Sequence, residues 1–348
     1  MKITCNLLFT IMLVAVLGAC NKSTDDDKLS DSGKLKPVAE KTELPKIFKV
    51  NSPALYPEGI EWDEAHKRFL VTSIGKGEVG AVKDDGSFSI FGSDPRLICT
   101  IGIELDPTRD RALVCNSDTG AGEKTSKETA GKVAALAVFQ LSTGKLTNYV
   151  DLAKGIEGGH FCNDIAIADD GTAYITDSFS PIIYKVDTNY TASVLINDQT
   201  FTGPAFNLNG IVVKDNFLLV DKMNSGQLFK VPLDNPQSFS EVKLPEKLEG
   251  ADGMLWAPDG SLIVIGNNNA HVGITESTTP LNAVLRLTSD DNWQTAAIKG
   301  KASTGDVFAT TGTLRDGQIY VSHAMLHVLF NPDTKEQVQQ FDIVNYNP

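Results

Sequence analysis

The chain has 348 residues, with 44 acidic against 31 basic side chains and a net charge of −13 at neutral pH. That balance argues against nucleic acid or an anionic lipid surface as an electrostatic partner. Five cysteines, two of them within the first 20 residues, are too few and too scattered for a disulfide framework or a cysteine metal cluster.

Met1-Lys2 is a short basic start, and Leu7 to Leu17 is a mostly apolar run. The run is about eleven residues long, which suits the core of a signal peptide and falls short of the ~20 residues a spanning helix needs. It ends in Leu17-Gly18-Ala19-Cys20, which resembles the lipobox of bacterial lipoproteins, where Cys20 would be lipidated and become the new N-terminus. Residues 21–44 are polar, with too little apolar surface to fold, and read as a tether. Asn21 after the cysteine resembles the pattern of lipoproteins sent to the outer membrane. The Asp25 to Asp27 run resembles an acidic surface-export signal, and a solvated tether explains it as well. The expectation is an outer-membrane lipoprotein of a Gram-negative bacterium, on the periplasmic or the surface side, touching the membrane only through its N-terminal lipid. Residues 1–20 would be the signal peptide, 21–44 the tether and 45–348 one monomeric folded body.

From Leu44 onward, short runs rich in β-branched and aromatic residues alternate with turn chemistry such as Asp169-Asp170-Gly171, Pro258-Asp259-Gly260 and Arg315-Asp316-Gly317. Asp-Gly between apolar runs signals a hairpin, because glycine reaches positive φ without steric cost. The runs also repeat. Gly59-Ile60-Glu61-Trp62, Gly102-Ile103-Glu104-Leu105, Asp164-Ile165-Ala166-Ile167, Gly210-Ile211-Val212-Val213 and Gly253-Met254-Leu255-Trp256 are equivalent first strands, and Thr311-Gly312-Thr313-Leu314 is a weaker sixth. Each precedes a turn and a second apolar strand, such as Phe69-Leu70-Val71 or Phe217-Leu218-Leu219-Val220. A period of roughly 43 to 60 residues with four strands per copy predicts an all-β, six-bladed propeller. Ile47-Phe48-Lys49-Val50 would close the ring against the last blade.

First strands line the channel of a propeller, so equivalent positions converge on one ring. Just before or within each copy stand Glu58, Asn163, Asn209 and Asp252, with Ile101 and Thr310 at the two remaining places. Two carboxylates and two amide oxygens form an all-oxygen set suited to Ca²⁺, another divalent metal being an alternative. Turn capping is the competing reading for any one of these residues.

Tyr56-Pro57-Glu58-Gly59, Phe161-Cys162-Asn163-Asp164, Leu208-Asn209-Gly210 and Ala251-Asp252-Gly253 resemble motifs of the senescence marker protein, regucalcin and gluconolactonase superfamily, and more distantly those of the paraoxonases. The resemblance implies a six-bladed propeller with a central divalent metal, usually calcium, and hydrolysis of lactones or related esters. It implies Glu58, Asn209 and Asp252 as metal ligands, Asn163 as a substrate-side amide or a fourth ligand, and Asp252 as general base. The sugar-lactone enzymes carry arginine where this chain has Phe161, so a more hydrophobic small-molecule lactone or ester is expected. Phe161 and Asp164 are the expected substrate-pocket residues. His160, three residues before Asn163, is a candidate proton shuttle at the channel mouth. The competing class is a non-enzymatic surface propeller that binds a ligand or partner, with calcium serving structure.

Three other signals carry less. Gly75-Lys76-Gly77-Glu78-Val79-Gly80 has the letters of a dinucleotide fingerprint but leads into a strand. His323 and His327 are four apart without the surroundings of a zinc helix. Cys162 reads as a buried thiol, and Cys99 and Cys115 could be bonded or free.

Overall fold

A computed structural model describes residues 43–268, 281–331, 333–334 and 337–348. The proposed signal peptide, Cys20 and nearly all of the tether lie outside the described residues. Among the described residues no helix is long and apolar enough to cross a membrane.

The body, Pro45–Pro348, is an all-β propeller. One blade contains β2 (Ile60–Asp63), β3 (Arg68–Val71), β4 (Glu78–Val82) and β5 (Phe88–Ser93). Next come β6 (Cys99–Asp106), β7 (Arg111–Ser117), β8 (Lys132–Gln140) and β9 (Leu146–Asp151), then β10 (His160–Ile167), β11 (Ala173–Asp177), β12 (Ile182–Val186) and β13 (Ala192–Asn197). Two further blades hold β14 (Leu208–Lys214), β15 (Phe217–Lys222), β16 (Gln227–Pro232) and β17 (Ser240–Glu241), and β18 (Ala251–Trp256), β19 (Leu262–Gly266), β20 (Ala283–Thr288) and β21 (Ala297–Ser303). The last sheet holds β22 (Ala309–Arg315), β23 (Gln318–His323) and β24 (Phe341–Tyr346), completed by the N-terminal β1 (Ile47–Val50). β1 pairs antiparallel with β24, Ile47 opposite Val344 and Val50 opposite Phe341, so chain start and chain end share one sheet.

Four sheets are thus discrete four-stranded blades, not six, and β6 to β13 form one eight-stranded sheet. The expected six separate sheets are reduced by a short overhang. β8 pairs with β7 from Ala134 to Gln140, and its first two residues run on to meet β10 in parallel, Lys132 opposite His160 and Val133 opposite Phe161. The polar insertion before β8 sets up that overhang. Asp118 accepts hydrogen bonds from Gly120 N, Thr125 Oγ1 and Thr129 Oγ1 and so fixes the insertion as an ordered loop.

The turns follow the sequence. Asp316 and Gly317 both take positive φ between β22 and β23, and Asp170 and Asp259 each accept from the amide two residues on. Second strands β7, β11, β15 and β19 are buried along their whole length because each has a neighbouring sheet on both faces. The core is therefore a series of layers between sheets. Leu219, Leu262, Val264 and Leu285 fill one layer, and Leu70, Val79, Val114 and Phe139 fill another.

Polar side chains just after or at the end of the second strands tie each unit to the next. Ser117 Oγ donates to Cys162 O at 2.9 Å, Ser178 Oγ to Leu208 O at 2.6 Å, Asn267 Nδ2 to Ala309 O at 3.0 Å, and Ser322 Oγ to Pro57 O at 2.8 Å. The last of these spans 265 residues and helps close the ring. Inner strands then approach so closely that a methyl group on Gly210 would collide with Asp252 O and the Asp221 carboxylate. Gly210→Ala is expected to destabilise the fold by about 1–3 kcal/mol through overpacking, read as a lower denaturation midpoint with an unchanged slope.

Candidate functional site

All five inner strands after β2 break register at the same place. The shift falls between Thr100 and Ile103 in β6, Cys162 and Ile165 in β10, Leu208 and Ile211 in β14, Ala251 and Met254 in β18, and Ala309 and Gly312 in β22. The residues within these bulges include Ile101, Asn163, Asn209, Asp252 and Thr310, the positions that the repeat aligns. A β-bulge re-aims a side chain out of the pleat, and here it recurs around the ring. Glu58 stands at the matching place just before β2.

Glu58, Asn163, Asn209 and Asp252 line one open-mouthed pocket with about 370 Å³ of non-atom space, mouth included. Their exposures are 7, 4, 3 and 4 %. Asp252 Oδ2 accepts from Asn267 Nδ2 at 2.6 Å, and Asn163 Nδ2 donates to Ser178 Oγ at 2.9 Å. Asn209 Nδ2 contacts Met223 Sδ at 3.3 Å. Glu58 Oε2 and Asn163 Oδ1 are buried without a hydrogen-bond partner. Burial pushes Glu58 well above the usual carboxylate range, with the negative charges of Asp252 and Asp164 adding to the rise. Burial lifts Asp252 to about 8 against the hydrogen bond from Asn267, and Asp164 raises it further. Two buried carboxylates beside two amide oxygens, with no basic side chain lining the cavity among the described residues, suit a hard divalent cation that would cancel the repulsion. No group of three or more His, Cys, Asp or Glu side chains is gathered for a metal among the described residues, so any ion here would depend on the two asparagines.

Of the expected pocket pair, Phe161 lines this cavity and Asp164 does not. The bulge turns consecutive residues to different ends. Asp164 lines a second open pocket, with about 900 Å³ of non-atom space counting its mouth, together with Glu61 and Glu104. Its carboxylate accepts from the amides of Ile165 and Ile211, and burial sets it at about 7. Glu61 is raised to about 8 and Glu104 well above the usual range, burial being the main cause for both.

The structure also does not bring His160 to the Asp252 cavity. Its Nδ1 lies 2.9 Å from Asp177 Oδ2 and 3.1 Å from Tyr184 Oη, and its Nε2 lies 3.3 Å from Ile156 O. The bond to Asp177 raises the imidazole above its ordinary value against the effect of burial. His160 is a buried structural partner of Asp177, which also accepts from the amides of Phe161, Phe179 and Ser180. Cys99, Cys115 and Cys162 are all free buried thiols, which resolves the open question about Cys99 and Cys115.

Several residues at or near the site were not singled out from sequence. Phe206, Met223, Phe308 and Thr119 line the cavity from loops, and Asn267 orients Asp252. Phe308 holds φ at 51°, a left-handed strain at the cavity wall. Asp221, the penultimate residue of β15, has both oxygens buried and unpartnered, and burial raises it well above its ordinary value. A polar residue directly after an apolar second strand was the readable signal for Asp177, Asp221 and Asn267.

No protein-family model matches the chain, and neither does any curated protein sequence. Solved structures do. The major Malassezia sympodialis allergen Mala s 1 is 16 % identical at a TM-score of 0.67, covering 88 % of this chain and 97 % of its own. A luciferin-regenerating enzyme is 10 % identical at 0.59, covering 86 % and 94 %. Regucalcin from Agrobacterium tumefaciens, a calcium-binding protein, is 16 % identical at 0.57, covering 87 % and 95 %. The chain shares the propeller fold with all three. At these identities the likeness is one of fold alone.

The raised carboxyls give stability an unusual pH dependence. An acid whose folded-state value is raised binds its proton more tightly in the folded chain, so it opposes folding once pH passes its ordinary value near 4. With Asp164 at about 7 and Glu61 and Asp252 at about 8, the penalty grows between about pH 5 and 8. In the presence of a chelator the melting temperature is expected to fall across that interval, and Asp221→Asn should flatten the decline. A melting temperature that rises over the same range would mean that these groups are charged and paired in the fold.

Proposed function

We infer that the protein is a calcium-dependent hydrolase of a lactone or ester. The observation that carries this reading is the meeting of Glu58, Asn163, Asn209 and Asp252 from four inner-strand positions in one mostly apolar cavity. Calcium, held by those four residues, would supply Lewis-acid polarisation of a carbonyl and electrostatic stabilisation of the charge that develops on it. Asp252 would act as the base. Burial raises it to about 8, near the working pH as a general base requires, and the Asn267 hydrogen bond fixes its carboxyl group. Asn163 is held by Ser178 with its oxygen unpartnered, which suits a fixed ligand or substrate contact.

The same reading counts the eight-stranded sheet as two blades joined by the β8 overhang, making six, and places the chain in the senescence marker protein, regucalcin and gluconolactonase superfamily. It keeps Cys20 as a lipid anchor, an outer-membrane location and a monomeric body as proposals. A ligand-binding propeller with structural calcium is the second reading. It is favoured by one observation: no histidine, lysine, tyrosine or cysteine among the described residues lines the cavity to carry a second proton.

Asp252→Ala is expected to lose calcium affinity by at least about tenfold and hydrolysis by about 10²-fold or more, with the β-sheet circular dichroism spectrum retained. Metal content, calcium titration and a panel of lactones and esters measure this directly. Full activity in the variant overturns the mechanism. Retained calcium in the wild type with no turnover on the panel moves the conclusion to the binding propeller.

A further inference from the structure

The residues lining the Asp252 cavity divide into two chemical sets. Glu58, Asn163, Asn209 and Asp252, with Thr119, provide its oxygens, and the rest is hydrocarbon and thioether, including Phe161, Phe206, Phe308, Leu326 and Phe330. None of the described lining residues is Lys, Arg or His. A ligand whose carboxylate, phosphate or hydroxyls lie away from that oxygen set would bury them against aromatic rings without partners. That loss is worth roughly 10- to 100-fold in affinity for each unpaired group. A ligand with one carbonyl end and an apolar remainder meets no such penalty.

The apolar wall has a built centre. Phe161, Phe179 and Phe206 form a closed trio with ring centroids 5.0–5.2 Å apart, the Phe161 and Phe206 rings edge to face. Backbone contacts hold the trio in place. Asp177 Oδ1 accepts from the amides of Phe161 and Phe179 at 2.9 and 3.0 Å. Asn207, next to Phe206 and itself buried, donates to the carbonyls of Ser178, Gly203 and Ala205. Ala205 sits at φ 55°, in the left-handed region, where the loop carrying Phe206 bends. Side chains fixed in this way present a preorganised surface and lose little entropy when a ligand binds.

We propose that Phe161 and Phe206, backed by Phe179, are the specificity element of the cavity, selecting uncharged lactones or esters that carry an alkyl or aryl arm, with Phe206 as the residue that reads the arm. The proposal rests on the hydrolase reading of the cavity and deepens it by naming the substrate class. Phe161 alone was visible in the sequence. Phe206 joins the cavity from a loop only in the fold, and Phe179 packs behind it and Phe161.

The test uses the calcium-loaded protein and a six-membered lactone ring with an arm lengthened from none to hexyl, beside a polyhydroxylated ring of the same size. Cyclohexanones with the same arms, which present a carbonyl but contain no ester bond, are titrated in parallel by calorimetry. The expected result is a kcat/KM that climbs about fourfold per methylene until the cavity is filled, with the ketones following the same slope in affinity. Phe206→Ala should reduce kcat/KM for the hexyl ring about tenfold more than for the bare ring, and Phe206→Leu should restore much of the difference. A wild-type protein indifferent to the arm, or one preferring the polyhydroxylated ring, overturns the proposal and leaves the hydrolase reading intact. Ketones that bind with the arm-length slope while no lactone or ester turns over sink the hydrolase reading and support the apolar selection. Absence of both turnover and ketone binding overturns both. The wild-type series decides the matter even if the variants do not fold.

Discussion

Carboxylates packed together without a basic partner among the described residues are the constraint around which this propeller is arranged. Glu58, Asp164, Asp221 and Asp252 feel one another's charge in a space closed by the inner strands. Burial makes the charged form of each expensive, and like charge compounds the cost. A structure can sustain such a set only by keeping protons on it or by admitting a cation. Both outcomes require the same thing of the rest of the fold, namely a ring tight enough to hold the acids against their repulsion. The inter-sheet hydrogen bonds from Ser117, Ser178, Asn267 and Ser322, the pairing of β1 with β24, and the absence of a side chain at Gly210 supply that rigidity.

The hydrogen bonds that close the ring also set the site. Ser178 donates to Leu208 O and accepts from Asn163, so one hydroxyl both links neighbouring units and turns the amide of a candidate ligand. Asn267 bonds Ala309 O and Asp252 in the same way. Stability and function are therefore coupled through shared side chains, and deleting either one would disturb both. Asp177 extends this logic outward. It fixes His160 and Tyr184 on one side and the amides of Phe161 and Phe179 on the other, so a buried polar hub holds an apolar wall in position.

The repeated bulge explains why two chemically different cavities arise from one set of strands. The first residue of the bulge, such as Asn163, serves the small apolar cavity. From its second residue onward, Asp164, Ile165 and Ile167 serve the larger acidic one, beside Glu61 and Glu104. A regular strand would have alternated these residues between its two faces without separating them along the strand. Irregularity in the pleat gives neighbouring residues in sequence separate tasks.

The sequence alone determined the all-β class, the repeating strand pair and the four positions that converge, because period-two patterning, Asp-Gly turns and equivalent places in a repeat are local or symmetric properties. The ring-closing role of Ile47–Val50 was legible for the same reason, since an isolated strand pattern ahead of the first repeat needs a partner. Tertiary structure decided what depends on register and on loops. It merged two units through the overhang of Lys132 and Val133, sent Asp164 away from Phe161 through a bulge, and enclosed His160 behind Asp177. It also brought Phe206 and Phe308 to the cavity from segments with no repeat signature. The distinction is physical: symmetry carries information along the chain, whereas the depth and direction of one side chain depend on atoms contributed by distant segments.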